Sequence, residues 1–241
     1  MIEKTKGIVL HQIKYSDSGV VAQMYTRKNG RQSFLVRSTR NKKGGRQNVP
    51  LQPLLVLDLV MYNKGSRSMQ TLKEFSVSYA PAGIFSDVRK SCIAIFLAEV
   101  LTSVLREESA NTEMFDYIEE SVIYFDRTAT GVPNFHIAFL SSLAGFLGFE
   151  PAGRDYQSDK YFDMQDGRFV RVPPVHGQYA GPEVSDILAA FFSSSFDEAG
   201  RICLTGAQRN ETLETIIRYF SIHLPGLKKI NSISVMKDIF S

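Results

Sequence analysis

The chain has 241 residues, 44% of them apolar, enough for a buried core and a soft prior of one large domain or two small ones. Its formal charge of +3 hides a division: residues 1–80 carry 14 Lys and Arg against 4 Asp and Glu, a net of +10, whereas residues 81–241 carry 14 against 21, a net of −7. Such asymmetry points to nucleic acid or another anionic surface as partner of the first part, and argues against charge serving solubility alone. Cys92 and Cys203 make no disulfide framework and read as small buried hydrophobes. No run approaches 18 apolar residues, and "MIEKTKGIVL" lacks the apolar stretch of a signal peptide, so the expectation is a soluble, cytoplasmic protein without membrane contact.

From Gly7 to Tyr79 short β-type runs alternate with turns. "GIVLHQIKY" precedes "SDSG", and "VVAQMYT" precedes "RKNG", where Asn29-Gly30 is a hairpin signal because both residues tolerate positive φ. "RQSFLVRS", "LLVLDLVMYN" and "SMQTLKEFSVSY" complete five strands, which fit a small closed barrel of the OB type. Between the third and fourth runs lies "RSTRNKKGGRQ", a loop with five cations (Arg37, Arg40, Lys42, Lys43 and Arg46) and no carboxylate. Lys28 and Arg31 flank the Asn-Gly turn, and Lys64 and Arg67 flank the last turn. Lys and Arg have no packing reason to cluster, so these nine residues are the candidate nucleic-acid-binding set, which the resemblance described below makes a DNA-binding set. Tyr15, Tyr25, Phe34 and Tyr62 lie on or beside strands, where single-strand binders present stacking platforms; for Tyr25 and Phe34 the barrel core is the competing place.

Near "YAPAGIF" the period changes from strand-like to helix-like, which sets domains at 1–80 and 81–241. Helices are predicted over "SDVRKSCIAIFLAEVLTSVLREES" with Ser86 as N-cap, and over "NTEMFDYIEESVIYFDRT" with Asn111 as cap and Met114, Ile118, Val122 and Phe125 on one face. The nearly apolar "PNFHIAFLSSLAGFLGF" belongs at the domain centre, and "PEVSDILAAFFSSS", "NETLETIIRYFSIHL" and "SISVMKDIF" follow. Around 152–178 an insertion carries a hairpin signal at Asp166-Gly167. The fold class is therefore α+β: an OB-type barrel, then a helical domain with a small hairpin insertion.

Chemistry is sparse. The chain has no phosphate-cradling glycine loop, no paired histidines on a helix and no nucleophile elbow. His11, His136, His176 and His223 are scattered, and His136 reads as a core residue. Asp159, Asp163 and Asp166 are better explained by turns than by a cation, leaving a Mg²⁺ nuclease as the enzymatic alternative and an RNA-binding adaptor as the other rival.

The residues also resemble a known family, the bacterial recombination mediator RecO. "GIVLHQIKYSDSG", "TRKNGR", "VRSTRNKK" and "LQPLLVL" in the first part, then "FLAEVLTSVLREESANTEMFDYI", "LSSLAGFLGFEP" and "LPGLKKINSISVMKDIF", follow the family in order and spacing over essentially the whole chain. The resemblance implies a non-enzymatic, nucleoid-associated protein of recombinational repair in the RecF pathway. It implies binding to single- and double-stranded DNA, annealing of strands, interaction with RecR and with the C-terminal tail of single-strand-binding protein, and help in loading RecA. A tail pocket would need an apolar wall, for which the helix with Phe135, Phe139 and Phe146 is the candidate. Many members carry two Cys pairs for zinc after the "GFEP" position; here that segment has no cysteine, so the insertion is expected to be a metal-free remnant of a zinc ribbon, held by Tyr161, Phe162 and Phe169, and no cofactor is expected.

Overall fold

The computed structural model describes residues 2–16, 19–37, 39–40, 46–47, 51–62, 69–106, 109–152 and 160–240. Two compact units divide the chain, Met1–Arg127 and Thr128–Ser241.

The first unit contains β1 (Ile2–Ser16), β2 (Gly19–Thr26), β3 (Gly30–Arg37), the two-residue β4 (Thr39–Arg40) and β5 (Arg46–Gln47), β6 (Val56–Tyr62) and β7 (Gln70–Tyr79). Five of these close a barrel in the order β1-β2-β3-β7-β6, with β6 pairing back to β1, as expected for an OB-like fold. All its pairings are antiparallel except β3 with β7. Alternation drives the closure: on β6, Leu57, Leu59 and Met61 turn inward while Asp58 faces out. They meet Val9, Ala22, Met24 and Phe34 in one core. Gly7 makes room for this packing: a Cβ there would lie 2.7 Å from Leu59 Cδ1, and the Leu59 side chain would have to shift.

The turn at Thr26–Gly30 differs from the sequence expectation. Gly30 alone takes positive φ, at 60°; Asn29 is not among the positive-φ residues. The Thr26 hydroxyl accepts the Asn29 N–H at 3.1 Å and donates to the Gly30 carbonyl at 2.9 Å, which organises a longer tip over Arg27, Lys28 and Asn29. The basic segment also differs from a plain loop: β4 and β5 pair antiparallel, Thr39 opposite Gln47 and Arg40 opposite Arg46.

Helices begin at α1 (Ala82–Ser86), followed by α2 (Val88–Val104) and α3 (Thr112–Arg127). The cap of α2 is Asp87, not Ser86, which ends α1: the Asp87 carboxylate accepts the N–H groups of Arg89 and Lys90 at 2.8 and 3.2 Å. Asn111 Oδ1 accepts the Met114 N–H at 2.9 Å, and the predicted face of α3 is buried. Asp126 ties three elements to α3. Tyr79 donates to its carboxylate at 2.6 Å, the Ile84 N–H donates at 2.9 Å, and the buried Lys90 donates to its carbonyl at 2.9 Å.

The second unit opens with a 3₁₀ turn, Val132–Asn134, then α4 (Phe135–Phe146), β8 (Tyr161–Asp163), β9 (Arg168–Val170), β10 (Tyr179–Ala180), α5 (Pro182–Ser193), α6 (Phe196–Ala199), α7 (Gly206–His223) and α8 (Ile233–Phe240). As expected, α4 is central, with Ile137, Phe139, Leu140 and Leu143 fully buried. Beside it, the Asn134 amide donates to the Ala199 and Ile202 carbonyls at 2.9 and 2.8 Å, and its oxygen accepts from Arg209 at 3.2 Å. Cys203 is exposed and Cys92 half-buried, which corrects the reading of both as buried: Cys203 lies in the short link between α6 and α7.

The insertion is a three-stranded sheet, β10-β8-β9, with Gly167 at φ 63° in the turn. Phe162 is fully buried and meets Phe169 and Tyr219 at ring-centroid distances of 4.9 and 5.0 Å, while Tyr161 packs edge-on against Tyr179. Among the described residues, no helix is long and apolar enough to cross a membrane.

Candidate nucleic-acid interface

β3 ends at Arg37 and β4 of the ribbon begins at Thr39, so the basic segment follows directly on a strand of the barrel wall. Arg37 ends β3, and Arg40 and Arg46 occupy directly opposed ribbon positions. Lys42, Lys43, Lys64 and Arg67 lie outside the described residues.

Lys28, at the tip of the β2–β3 turn, is exposed at the edge of an open groove of about 700 Å³. Arg31 has a partner inside the unit: its guanidinium donates to the Thr102 carbonyl at 3.0 Å, in the last turn of α2, where the helix end favours a cation. Two cations that charge counting did not single out behave similarly. Lys6 pairs with Glu119 at 2.6 Å. Arg27 forms a two-pronged contact with Asp116, both bonds at 2.8 Å, which holds the Asp116 carboxyl below its ordinary value. The acidic face of α3 thus neutralises the groove side of the barrel. No local signal marks these pairs, because each joins residues about ninety or more positions apart.

The four aromatic candidates separate cleanly. Phe34 and Tyr25 are core residues, at 0 and 3% exposure, and Tyr25 stacks on Phe115 of α3. Tyr15 and Tyr62 remain at the surface, at 64 and 36%. On α4, Phe135 and Phe139 are buried and only Phe146 reaches solvent, so that helix supplies core and no open apolar wall of all three rings.

The acidic cluster of the insertion serves structure. Asp163 Oδ1 accepts the N–H groups of Gln165 and Asp166 at 3.0 and 3.1 Å, and its carboxylate meets His176 Nε2 at 3.2 Å. His176 Nδ1 accepts the Gln178 N–H, which leaves the ring proton on Nε2, facing Asp163. Asp166 is held by Arg168 at 2.7 Å, and Asp159 lies outside the described residues. Among the described residues no three His, Cys, Asp or Glu side chains gather as a metal site. A tetrahedral zinc site does not fit an insertion without thiolates; the Asp163 turn, the His176 contact and the Phe162 cluster hold the strands instead.

A closed OB-like barrel that carries a basic ribbon and is followed by a helical unit places the chain in the class of OB-barrel proteins. Residues 1–80 match the family model for the N-terminal part of recombination protein O, and residues 86–231 match the model for its C-terminal part. DNA repair protein RecO of Phocaeicola vulgatus is 34% identical over 241 residues, covering 100% of both chains. The Bacteroides fragilis protein of the same name is 35% identical over 242 residues and that of Porphyromonas gingivalis 32% over 247, again covering 100% of both chains. The chain belongs to the RecO family.

Proposed function

We propose that this chain is a DNA-binding recombination mediator in DNA repair that catalyses no reaction of its own. It binds and anneals single strands, accepts double strands, and helps load RecA onto strands coated by single-strand-binding protein, working with RecR in the RecF pathway of the cytoplasm. The C-terminal tail of single-strand-binding protein is its second protein partner. An annealing protein has to neutralise two phosphate backbones without reading sequence, and Lys and Arg contacts to phosphate do that.

The ribbon carries this reading. Its register sets Arg40 opposite Arg46, which places two cations of the basic segment at one ladder position. Arg37, Arg40, Lys42, Lys43 and Arg46 form the main phosphate track, extended by Lys28, Lys64 and Arg67; Arg31 joins less directly, since one of its nitrogens is committed to Thr102. Asp163 and Asp166, which a Mg²⁺ nuclease would need, are engaged with the β8–β9 turn and with Arg168.

The test is fluorescence anisotropy of a labelled single strand across a salt series, wild type beside Lys42→Glu/Lys43→Glu/Arg46→Glu. About five phosphate contacts give a log–log salt slope of roughly −3.5 on a single strand. Steep binding that the triple variant loses supports the ribbon as the track. Equal binding by both proteins moves the track elsewhere on the barrel, and no binding by either removes the nucleic-acid reading.

A further inference from the structure

The far end of β1 leaves regular pairing. Lys14 lies opposite Val20 and Ser16 opposite Gly19, so Tyr15 is an extra residue between two registered pairs. Such a bulge bends its strand and re-aims the side chain, and bulges concentrate at barrel rims and beside functional sites. At 64% exposure, Tyr15 is the most exposed aromatic of the described barrel. Its ring has no core to fill: from His11 to Ser16 every residue of β1 is exposed. The same row of pairs continues across the sheet, with Gly19 opposite Arg37, the last residue of β3 before the ribbon. Two strand spacings, on the order of 10 Å, therefore separate the bulge from the root of the basic segment. Lys14 precedes Tyr15 on the same exposed strand end.

An open aromatic face this close to a run of cations matches one ligand: a single DNA strand, with phosphates on the ribbon and a base on the ring. A duplex offers the ribbon its phosphates, but its base faces are already covered by neighbouring pairs. The geometry points to Tyr15 as a base-stacking residue that gives the protein a preference for single- over double-stranded DNA, an inference that rests on the DNA-binding reading above. The other three aromatic candidates do not compete equally, since Tyr25 and Phe34 are enclosed and Tyr62 lies at the opposite end of the β1–β6 ladder, across from Ile2.

The test compares Tyr15→Ala, Tyr15→Phe and Lys42→Glu/Lys43→Glu/Arg46→Glu with wild type, using the full chain and labelled single- and double-stranded DNA of equal length across a salt series. Circular dichroism melting checks that each variant folds. The expected result for Tyr15→Ala is a loss of single-strand affinity of roughly 5- to 150-fold, the span of one base–aromatic stack, with an unchanged salt slope and unchanged duplex affinity. Tyr15→Phe keeps the ring and should bind as wild type does. Wild-type affinity in Tyr15→Ala, with binding lost in the triple variant, overturns the stacking role and leaves the DNA-binding reading intact. Equal losses on single strand and duplex, or a loss that Tyr15→Phe shares, also overturn it. If wild type binds neither DNA, the underlying reading falls and the role of Tyr15 with it.

Discussion

A methyl group added at Gly83 would sit 2.4 Å from the Asp126 carbonyl oxygen and 3.0 Å from its carboxylate. Backbone cannot move aside there without breaking the bonds that Ile84 and Lys90 make to the same residue. Gly83→Ala should therefore cost about 1–3 kcal/mol, as overpacking does, and calorimetry should show a lowered melting temperature. His136 tests the second unit. It is fully buried, packs against Phe240 of α8, and is pushed down from 6.5 to about 3 by desolvation and then by the charge of Arg209 on α7. The unfolded chain takes up this proton near pH 6.5 and the folded chain does not, so stability is complete above that pH and falls as pH drops toward about 3. The slope approaches about 1.4 kcal/mol per pH unit for this one group. Urea midpoints measured between pH 7 and 4.5 should fall more steeply for wild type than for His136→Leu; identical slopes would place the proton uptake elsewhere.

Among the elements, α2 gives the clearest test. Asp87 supplies two backbone N–H groups of its first turn with an acceptor, so Asp87→Ala should cost about 1 kcal/mol, while Ser86→Ala should cost little. Equal losses from the two variants in urea titrations would return the cap to Ser86. The sequence reading placed the cap at Ser86, and the extended backbone of Asp87, φ −108° and ψ 121°, moves it one residue on. Elements with long, regular periodicity were legible: the five barrel strands, the buried face of α3 and the apolar α4. The ribbon was not, because two-residue strands carry no period, and its charge marked the segment without revealing its shape. The bulge at Tyr15 was hidden for another reason, since an extra residue exists only relative to the strand opposite. Arg31 looked like the other cations because composition cannot see that its partner lies 71 residues away at a helix end.

For the molecule as a whole, the change from strands to helices at Ala82 and the edge of the first compact unit at Arg127 are different boundaries. Lys6, Arg27, Arg31, Tyr25 and Tyr79 each reach from the barrel to α2 or α3. A fragment of residues 1–80 should accordingly lack a cooperative melt, whereas residues 1–127 should retain one; a sharp transition in the shorter piece would show that the barrel stands without its helices. Excess EDTA should leave the melting curve of the full chain in place, as thiolate-free strands held by Phe162 and Asp163 give a chelator nothing to remove; a downward shift would point to a bound metal.

The parallel seam between β3 and β7 bears on how the barrel breathes. In the described residues only two registered pairs, Phe34 with Gln70 and Leu35 with Thr71, join these strands, whereas β2 and β3 share eight. Local opening starts where the fewest bonds must break, so amide hydrogens along this seam should exchange with solvent before those of β2. Because the ribbon follows β3, a DNA strand bound on the ribbon as proposed above would hold one lip of the seam still. Exchange at Gln70 and Thr71 should then slow when DNA is added, and the barrel's own elasticity becomes a reporter of what the ribbon has caught.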